Sequence, residues 1–323
     1  MKFFSSKLDN QKIISSSKEN FIINHLIPGC KQNNLSIIGP GDDSAALKNF
    51  SVCTLISVDT LLENNHFKLE WSSLYDIGRR AIAQNIADIE AMGGEVTAFI
   101  VALGIPKEAS IISIDELYEG LYAEINKLGN INIIGGDIIS SSFWMISITV
   151  LGNVNNFQPI KRSGAKIGDT IALIGNLGLS IAGYNLLKKN IKGFSYLKQQ
   201  YLTPQPPYRQ GIVAAKNKAS AMTDISDGLL SNLECMATAS NVSFNLYSNY
   251  LLKDWSKICK AASIAKENPW IWVLTGGEDH SLVATFPNQI PIGWRKVGYV
   301  VKSSNIISID RTPWTRNKGW KAF

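Results

Sequence analysis

Apolar residues recur along this chain with two different periods, and the alternation between them predicts its elements. Over residues 74–92, Ile77, Ala81, Ile82, Ile86, Ile89 and Ala91 return at roughly three- and four-residue spacing, which predicts an amphipathic helix. Gly93-Gly94 supplies its stop. Residues 52–58, 97–104 and 143–152 are short apolar runs of strand length, with a second helix expected over 114–128. The polar, turn-rich segment 153–159 is the candidate linker. A second unit follows: a strand at 170–174, a turn at Gly175-Asn176-Leu177-Gly178 and a helix at 179–187. Prolines interrupt the chain at 204–207 before a helix at 208–216. Ser226-Asp227-Gly228 opens another helix, a strand is expected at 272–274, and Gly276-Gly277-Glu278-Asp279 forms a turn. The pattern describes an α/β (α+β) chain of two domains, 1–155 and 156–323.

Acidic residues change this picture. Aspartates stand in Gly41-Asp42-Asp43, Ser57-Val58-Asp59, Asn85-Ile86-Ala87-Asp88, Gly135-Gly136-Asp137 and Asp224-Ile225-Ser226-Asp227-Gly228. Most follow or interrupt an apolar run, so turns at strand ends are expected to present them. Carboxylates in such turns suit Mg²⁺, a hard ion that takes oxygen ligands and bridges to phosphates. One such turn is ordinary, because Asp and Gly share turns everywhere. Five in one chain point to a shared site, placed most economically between the two α/β domains.

Composition narrows the classes. A chain of 323 residues with 45% hydrophobic content is long enough for two cores. Cys30, Cys53, Cys235 and Cys259 are isolated, which argues for a reducing compartment and against a structural zinc site. With only His25, His66 and His280, a His-based zinc enzyme is disfavoured. The first residues turn polar too early for a signal peptide, and no apolar run reaches membrane-span length, so a soluble, cytoplasmic protein is expected. The net charge of +6 is scattered over the sequence, as on a solvated basic surface that draws anionic substrates. The P-loop, the G-x-G-x-x-G fingerprint and the protein-kinase loops are all missing. Many carboxylates and few bases suit phosphoryl transfer, in which a protein mainly positions reactants and neutralises charge.

The ordered motifs resemble those of the thiamine-monophosphate kinase family, in the superfamily of aminoimidazole ribonucleotide synthetase and selenophosphate synthetase. They are Gly41-Asp42-Asp43-Ser44-Ala45-Ala46-Leu47, Ser57-Val58-Asp59-Thr60-Leu61 with His66-Phe67, and Asn85 through Gly93. Gly135-Gly136-Asp137, Arg162 through Asp169, Asp224 through Leu229, Gly276-Gly277-Glu278-Asp279 and Gly319-Trp320 complete the series over nearly the whole chain. The resemblance implies two α/β domains, a homodimer whose N-terminal sheets join into a barrel, and ATP-dependent phosphorylation of thiamine monophosphate. It implies several Mg²⁺ ions on Asp43, Ser57, Asp59, Asp88, Asp137, Asp224 and Asp227, with the Val58 carbonyl beside them. It places ATP on Gly136, Arg162 and Ser226, and the acceptor on His66, Glu278 and Trp320. A guanidinium fork matches phosphate geometry, and an acid with an indole suits a flat cationic heterocycle.

The chain departs from the family pattern at Ala87, where serine is usual, at His280, where tyrosine is usual, and at Lys321-Ala322-Phe323. These touch substrate recognition more than phosphoryl transfer. Two other readings stand beside the first. One is another ATP-using enzyme of the superfamily acting on a different small phosphate or acid, although Cys30 lacks the context of a selenophosphate synthetase. The other is a non-catalytic scaffold or nucleic-acid binder, recognisable by salt-steep binding without ATP turnover.

Overall fold

The structure, a computed structural model, describes residues 36–38, 42–48, 53–129, 131–154, 157–302 and 306–314. The chain begins with strands β1 (Ser36–Ile38), β2 (Ala45–Lys48) and β3 (Cys53–Leu62), then helix α1 (Leu74–Ala91). Strand β4 (Glu95–Pro106), helix α2 (Ile111–Ile125), β5 (Asn132–Ser141) and β6 (Met145–Val154) follow. These strands form one sheet in the order β1-β2-β3-β6-β4-β5. Its spine is the antiparallel β3–β6 ladder, from Cys53↔Val154 to Leu62↔Met145, while β5 lies parallel to β4 at the far edge.

The second set comprises β7 (Thr170–Ile174), α3 (Leu179–Lys188), α4 (Ser195–Leu202), α5 (Gln210–Lys216), β8 (Ala221–Ile225) and α6 (Leu229–Ser240). It continues with β9 (Ser243–Leu246), α7 (Leu252–Ala265), α8 (Pro269–Thr275), β10 (Ser281–Phe286), β11 (Arg295–Val301), β12 (Ile307–Ile309) and β13 (Thr312–Pro313). The sheet runs β13-β12-β9-β11-β7-β10-β8. One large apolar cluster belongs to each sheet, and a smaller one joins Ala91 of α1 to Ile160, Ala172, Ala214, Met222 and Phe286 of the second set.

Helix α1 links the two sets. Ser73 caps it, its Oγ accepting from Asp76 N at 3.1 Å, which satisfies an amide left bare at a helix start. The apolar stripe read from the sequence is buried against α2, β3 and β6. The opposite face of an amphipathic helix usually meets water. Here it packs against β8, β10 and α5, and Arg80, Gln84, Asn85 and Glu90 are buried on it. Glu90 accepts from Arg209 N at 2.5 Å and Gly211 N at 2.7 Å, at the start of α5. Gly211 allows this approach, since a Cβ there would stand 2.0 Å from the Glu90 carbonyl oxygen.

Three sequence expectations are corrected. Residues 272–274 belong to α8 rather than a strand: Asn268 accepts from Trp270 N, and Pro269 occupies the first helical turn. That cap outweighs the β-propensity of an aromatic, β-branched run. Gly135-Gly136-Asp137 is not a turn but the middle of β5, held by its parallel register with Ile100, Val101 and Ala102. Asp59 and Asp224 likewise lie inside β3 and β8 rather than in turns, while Asp88 stands in the helix expected over 74–92. The other expected elements are present with shifted ends, β3 running to Leu62 because β6 pairs with it over its whole length. Among the described residues no helix is long and apolar enough to cross a membrane.

Candidate functional site

The acids converge where α1 meets both sheets. Asp43 precedes β2, Asp88 lies on α1 and Asp224 on β8; one carboxylate oxygen from each falls within 4.8 Å of the others. Ser57 on β3 ties two of them together, its Oγ lying 2.6 Å from Asp88 Oδ2 and 3.2 Å from the Asp43 carbonyl oxygen. Asp59, two residues on and so on the same face of β3, accepts from Gln84 Nε2 at 3.1 Å. Arg80, Gln84 and Asp88 recur every fourth residue on α1 and form one polar stripe over this site.

Crowding acids in a dry place is costly. Two unit charges 4 Å apart repel by about 4 kcal/mol at an effective dielectric of 20. Burial, together with the charges of Asp59, Asp224 and Asp43, pushes the Asp88 carboxyl well above its ordinary range. Burial lifts Asp59 to about 6, against the pull of His280. Burial also lifts Asp43 to about 6, although Arg162 lowers it. Arg162 forks onto Asp43, with Nη2 2.6 Å from Oδ1 and Nε 3.2 Å from Oδ2. Its backbone amide donates to Asp42 Oδ1 at 2.7 Å, and Thr223 Oγ1 donates to Asp43 at 3.1 Å. Among the described residues, the side chains bonded to these acids include Ser57, Gln84, Thr223 and Arg162, and the first three together with the carboxylates offer oxygen donors that fit a hard divalent ion.

The segment after α8 sends three successive side chains to three elements. Glu278 pairs with Arg80 Nη2 of α1 at 2.7 Å. Asp279 accepts from Gly178 N at 2.5 Å and Ser180 N at 2.9 Å, capping α3. His280 Nδ1 lies 3.2 Å from Asp224, and its Nε2 stands 3.7 Å from Glu278. Glu278 and His280 adopt left-handed backbone, at φ 65° and 48°, an uncommon state for such residues. Backbone bonds from Glu278 N to Ser226 O and from His280 N to Ile225 O hold them there against the end of β8. Burial pulls His280 down, but Asp224 and Glu278 push it up to about 10, so it is a cation at neutral pH. Burial raises Glu278, yet Arg80 and His280 hold it well below the usual carboxylate range. The histidine that departs from the family pattern therefore bridges the acid cluster to Glu278.

The other residues singled out from sequence are placed as follows. His66 Nδ1 accepts from Leu62 N at 3.0 Å, and its carbonyl takes bonds from Arg80 and Tyr201. Ser226 Oγ is 3.4 Å from Asp224, and exposed Asp227 has its amide on Asn232. The Val58 side chain is exposed, on the face of β3 opposite Ser57 and Asp59. Gly136 and Asp137 lie on β5, separated from β3 by β6 and β4, roughly 14 Å away at about 4.8 Å per strand. Within one chain they stand apart from the cluster. At Gly136 a Cβ would be 2.0 Å from the Val101 carbonyl oxygen, so strand packing alone requires glycine. Buried Ala87 offers no hydroxyl beside Asp88. Trp320 and the changed C-terminal residues lie outside the described residues. Sequence reading missed Arg80, Gln84 and Thr223; the four-residue stripe ending at Asp88 was the available signal for the first two.

Two such α/β units with shared acids between them define a class. Residues 41–154 match the family described as AIR synthase related protein, N-terminal domain, and residues 166–273 match its C-terminal domain. The chain is similar to thiamine-monophosphate kinase of Mycobacterium tuberculosis, at 42% identity over 302 residues covering 94% of this chain and 90% of that one. It is similar to thiamine-monophosphate kinase of Bacillus subtilis at 34% identity over 327 residues, covering 94% and 98%. A solved structure described as AaThiL complexed with AMPPCP and TMP superposes with a TM-score of 0.83 at 26% identity, covering 95% of this chain and 97% of that one. The chain belongs to the thiamine-monophosphate kinase family within the AIR synthase related class.

Proposed function

We propose that this chain transfers the γ-phosphoryl group of ATP to the phosphate of thiamine monophosphate, giving thiamine diphosphate. The observation that carries this reading is the meeting of Asp43, Asp88 and Asp224 from both halves of the chain, with Asp59 and Ser57 beside them. These five residues would hold Mg²⁺, which when bound screens the negative charge shared by donor and acceptor phosphates. Arg162, forked on Asp43 at the cluster's rim, is placed to turn its guanidinium to a nucleotide phosphate. Ser226 and Asp227 directly follow β8, the strand that carries Asp224. His66 fixes the loop after β3, and Arg80 holds both that loop and Glu278, so the acceptor's far end is bounded by one connected network. The acceptor phosphate is ionised at neutral pH and needs no base, which favours direct in-line transfer. A coupled assay for diphosphate formation from ATP and thiamine monophosphate with Mg²⁺ is expected to show turnover without any phosphorylated protein. Lack of turnover, or a phospho-aspartate or phospho-histidine on the path, refutes it.

The reading includes a homodimer. Strand β5 is an edge exposed over residues 134–140, and Ile134, Ile138 and Ile139 on it are all more than half exposed. Edges of this kind invite pairing with another chain, and a second copy covering β5 would bury them. It would also give Gly136 and Asp137 a role that one chain does not provide. Ile138→Lys with Ile139→Lys is expected to shift the protein from dimer to monomer in analytical ultracentrifugation. A wild-type monomer, or an unchanged dimer in the variant, removes this element of the proposal.

A further inference from the structure

Four acids act on the buried ring of His280. Its Nδ1 lies 3.2 Å from Asp224 Oδ2 and its Nε2 3.7 Å from Glu278 Oε2, while Asp59 and Asp279 interact with it through charge. The nearer contact is to a carboxylate of the Asp43–Asp88–Asp224 cluster. The further one is to an oxygen that Arg80 Nη2 already holds at 2.7 Å. Nε2 itself has no hydrogen-bond partner among the described residues. Closing its gap to Glu278 to an ordinary N–H···O length asks for a movement of only about 0.8 Å.

Arg162 pairs with the cluster at Asp43 and His280 at Asp224, and the two differ in freedom. The Arg162 side chain is 24% exposed, so its guanidinium can turn away to water or to a phosphate. The His280 side chain is 5% exposed and cannot leave. Its amide donates to the Ile225 carbonyl at 2.9 Å, and Ser281 after it opens β10 in register with Ile225. The ring can therefore shift between Asp224 and Glu278, but its charge stays in the site. A cation that cannot leave opposes the binding of a second cation, because like charges repel strongly where water is scarce. Tyrosine, the usual residue of the family at this position, could donate to Asp224 without bringing a charge.

We infer that His280 is a built-in counter-cation of the acid cluster, a positioning residue that cedes Asp224 to Mg²⁺ and turns onto Glu278. The inference rests on the proposed Mg²⁺ site. While His280 holds Asp224, it offsets the mutual repulsion of the acids. Once an ion takes over that task, the imidazole charge is surplus beside Asp224, and its favourable place is against Glu278. His280 thus weakens Mg²⁺ binding relative to a neutral residue at the same position. It also ties the state of Asp224 to the Glu278–Arg80 pair.

Titration calorimetry with Mg²⁺ alone, and melting curves in chelator and in saturating Mg²⁺, test this without requiring turnover. His280→Asn removes the charge with a residue that tolerates the left-handed backbone at φ 48°. It is expected to tighten Mg²⁺ binding on the order of tenfold, equivalent to about 1.4 kcal/mol. Its melting temperature in chelator should fall, and its gain on adding Mg²⁺ should exceed that of the wild type. His280→Tyr should behave alike, which keeps the test decisive if the asparagine variant does not fold. His280→Lys keeps a cation and should hold Mg²⁺ affinity within about twofold of wild type. The chain has only three histidines, so isotope labelling of their rings gives few NMR signals. The signal lost in His280→Asn is expected to move when Mg²⁺ is added to the wild type. Affinity unmoved in the folded neutral variants, equal tightening in folded His280→Lys, or a His280 signal indifferent to Mg²⁺ overturns the inference. So does an equal loss of melting temperature with and without Mg²⁺, the mark of a purely structural residue. A wild type that binds no Mg²⁺ refutes the proposed metal site itself, whereas binding with unmoved affinity in the variants removes only the role of His280.

Discussion

Asp88→Asn is expected to reduce phosphoryl transfer on the order of a thousandfold while leaving a folded protein that is more heat-stable than wild type without metal. The loss follows from removing a charged oxygen donor at the centre of the cluster, where an amide cannot supply the same field to a divalent ion. The gain in stability follows from the same charge, because Asp88 is half-buried beside Asp43, Asp59 and Asp224, whose charges oppose its own. A pH dependence comes with it. Asp43 and Asp59 hold their protons up to about 6 in the folded chain, against an ordinary value of 3.8. Between those values the folded state binds more protons than the unfolded one, so stability falls as pH rises through the window. With a chelator present, the melting temperature of the wild type should drop between pH 4 and about pH 6. Saturating Mg²⁺ should reverse the drop. Kinetics at varied Mg²⁺ and melting curves with and without chelator provide the check; near-normal turnover in the variant, or melting indifferent to Mg²⁺, contradicts the assignment.

Arg80→Gln is expected to cost about 3 kcal/mol or more of stability, the scale of leaving one member of a buried ion pair unpaired. Arg80 is 3% exposed and reaches two parts of the molecule, donating to the His66 carbonyl at 2.9 Å and to Glu278 at 2.7 Å. Lysine would keep the charge but not the fork, so Arg80→Lys should recover only part of the loss. Because Glu278 and the loop after β3 bound the acceptor end, the KM for thiamine monophosphate should rise while that for ATP stays close to wild type. Denaturant unfolding together with two-substrate kinetics measures both effects. Wild-type stability in Arg80→Gln would show that the pair carries no weight. The same contact changes what Glu278→Gln means, since that substitution disturbs the support of the site as well as any contact to substrate.

The recurrence of Ile77, Ala81, Ile82, Ile86 and Ile89 predicts α1 because a helix with one buried face must repeat near 3.6 residues. The oxygen-bearing residues, with no zinc spacing and no P-loop, are the basis in the sequence for proposing hard-metal phosphate chemistry. Which acids would meet was not legible. Asp43, Asp88 and Asp224 are brought together by strands and a helix from both halves, and nothing in the spacing of Asp137 reveals that β6 and β4 separate its strand from β3. The strand expected at 272–274 failed for a local reason, a cap at Asn268-Pro269 read as less than the propensity of the residues after it.

By itself, then, the sequence determined the elements with strong periods, the division into two α/β units and the kinds of donor atom it has to offer a ligand. These depend on neighbours along the chain and on side-chain chemistry, both of which the order of residues states directly. Tertiary structure alone decided that the polar face of α1 is buried, that Arg80 and Glu278 pair across 198 positions, and that His280 joins Glu278 to Asp224. The apolar stripe of a helix declares that it must be covered, but its polar stripe is equally satisfied by water or by another polar surface. Only the docking of the second sheet against α1 resolves that choice, and it places the acids in a medium poor enough in water for their charges to matter.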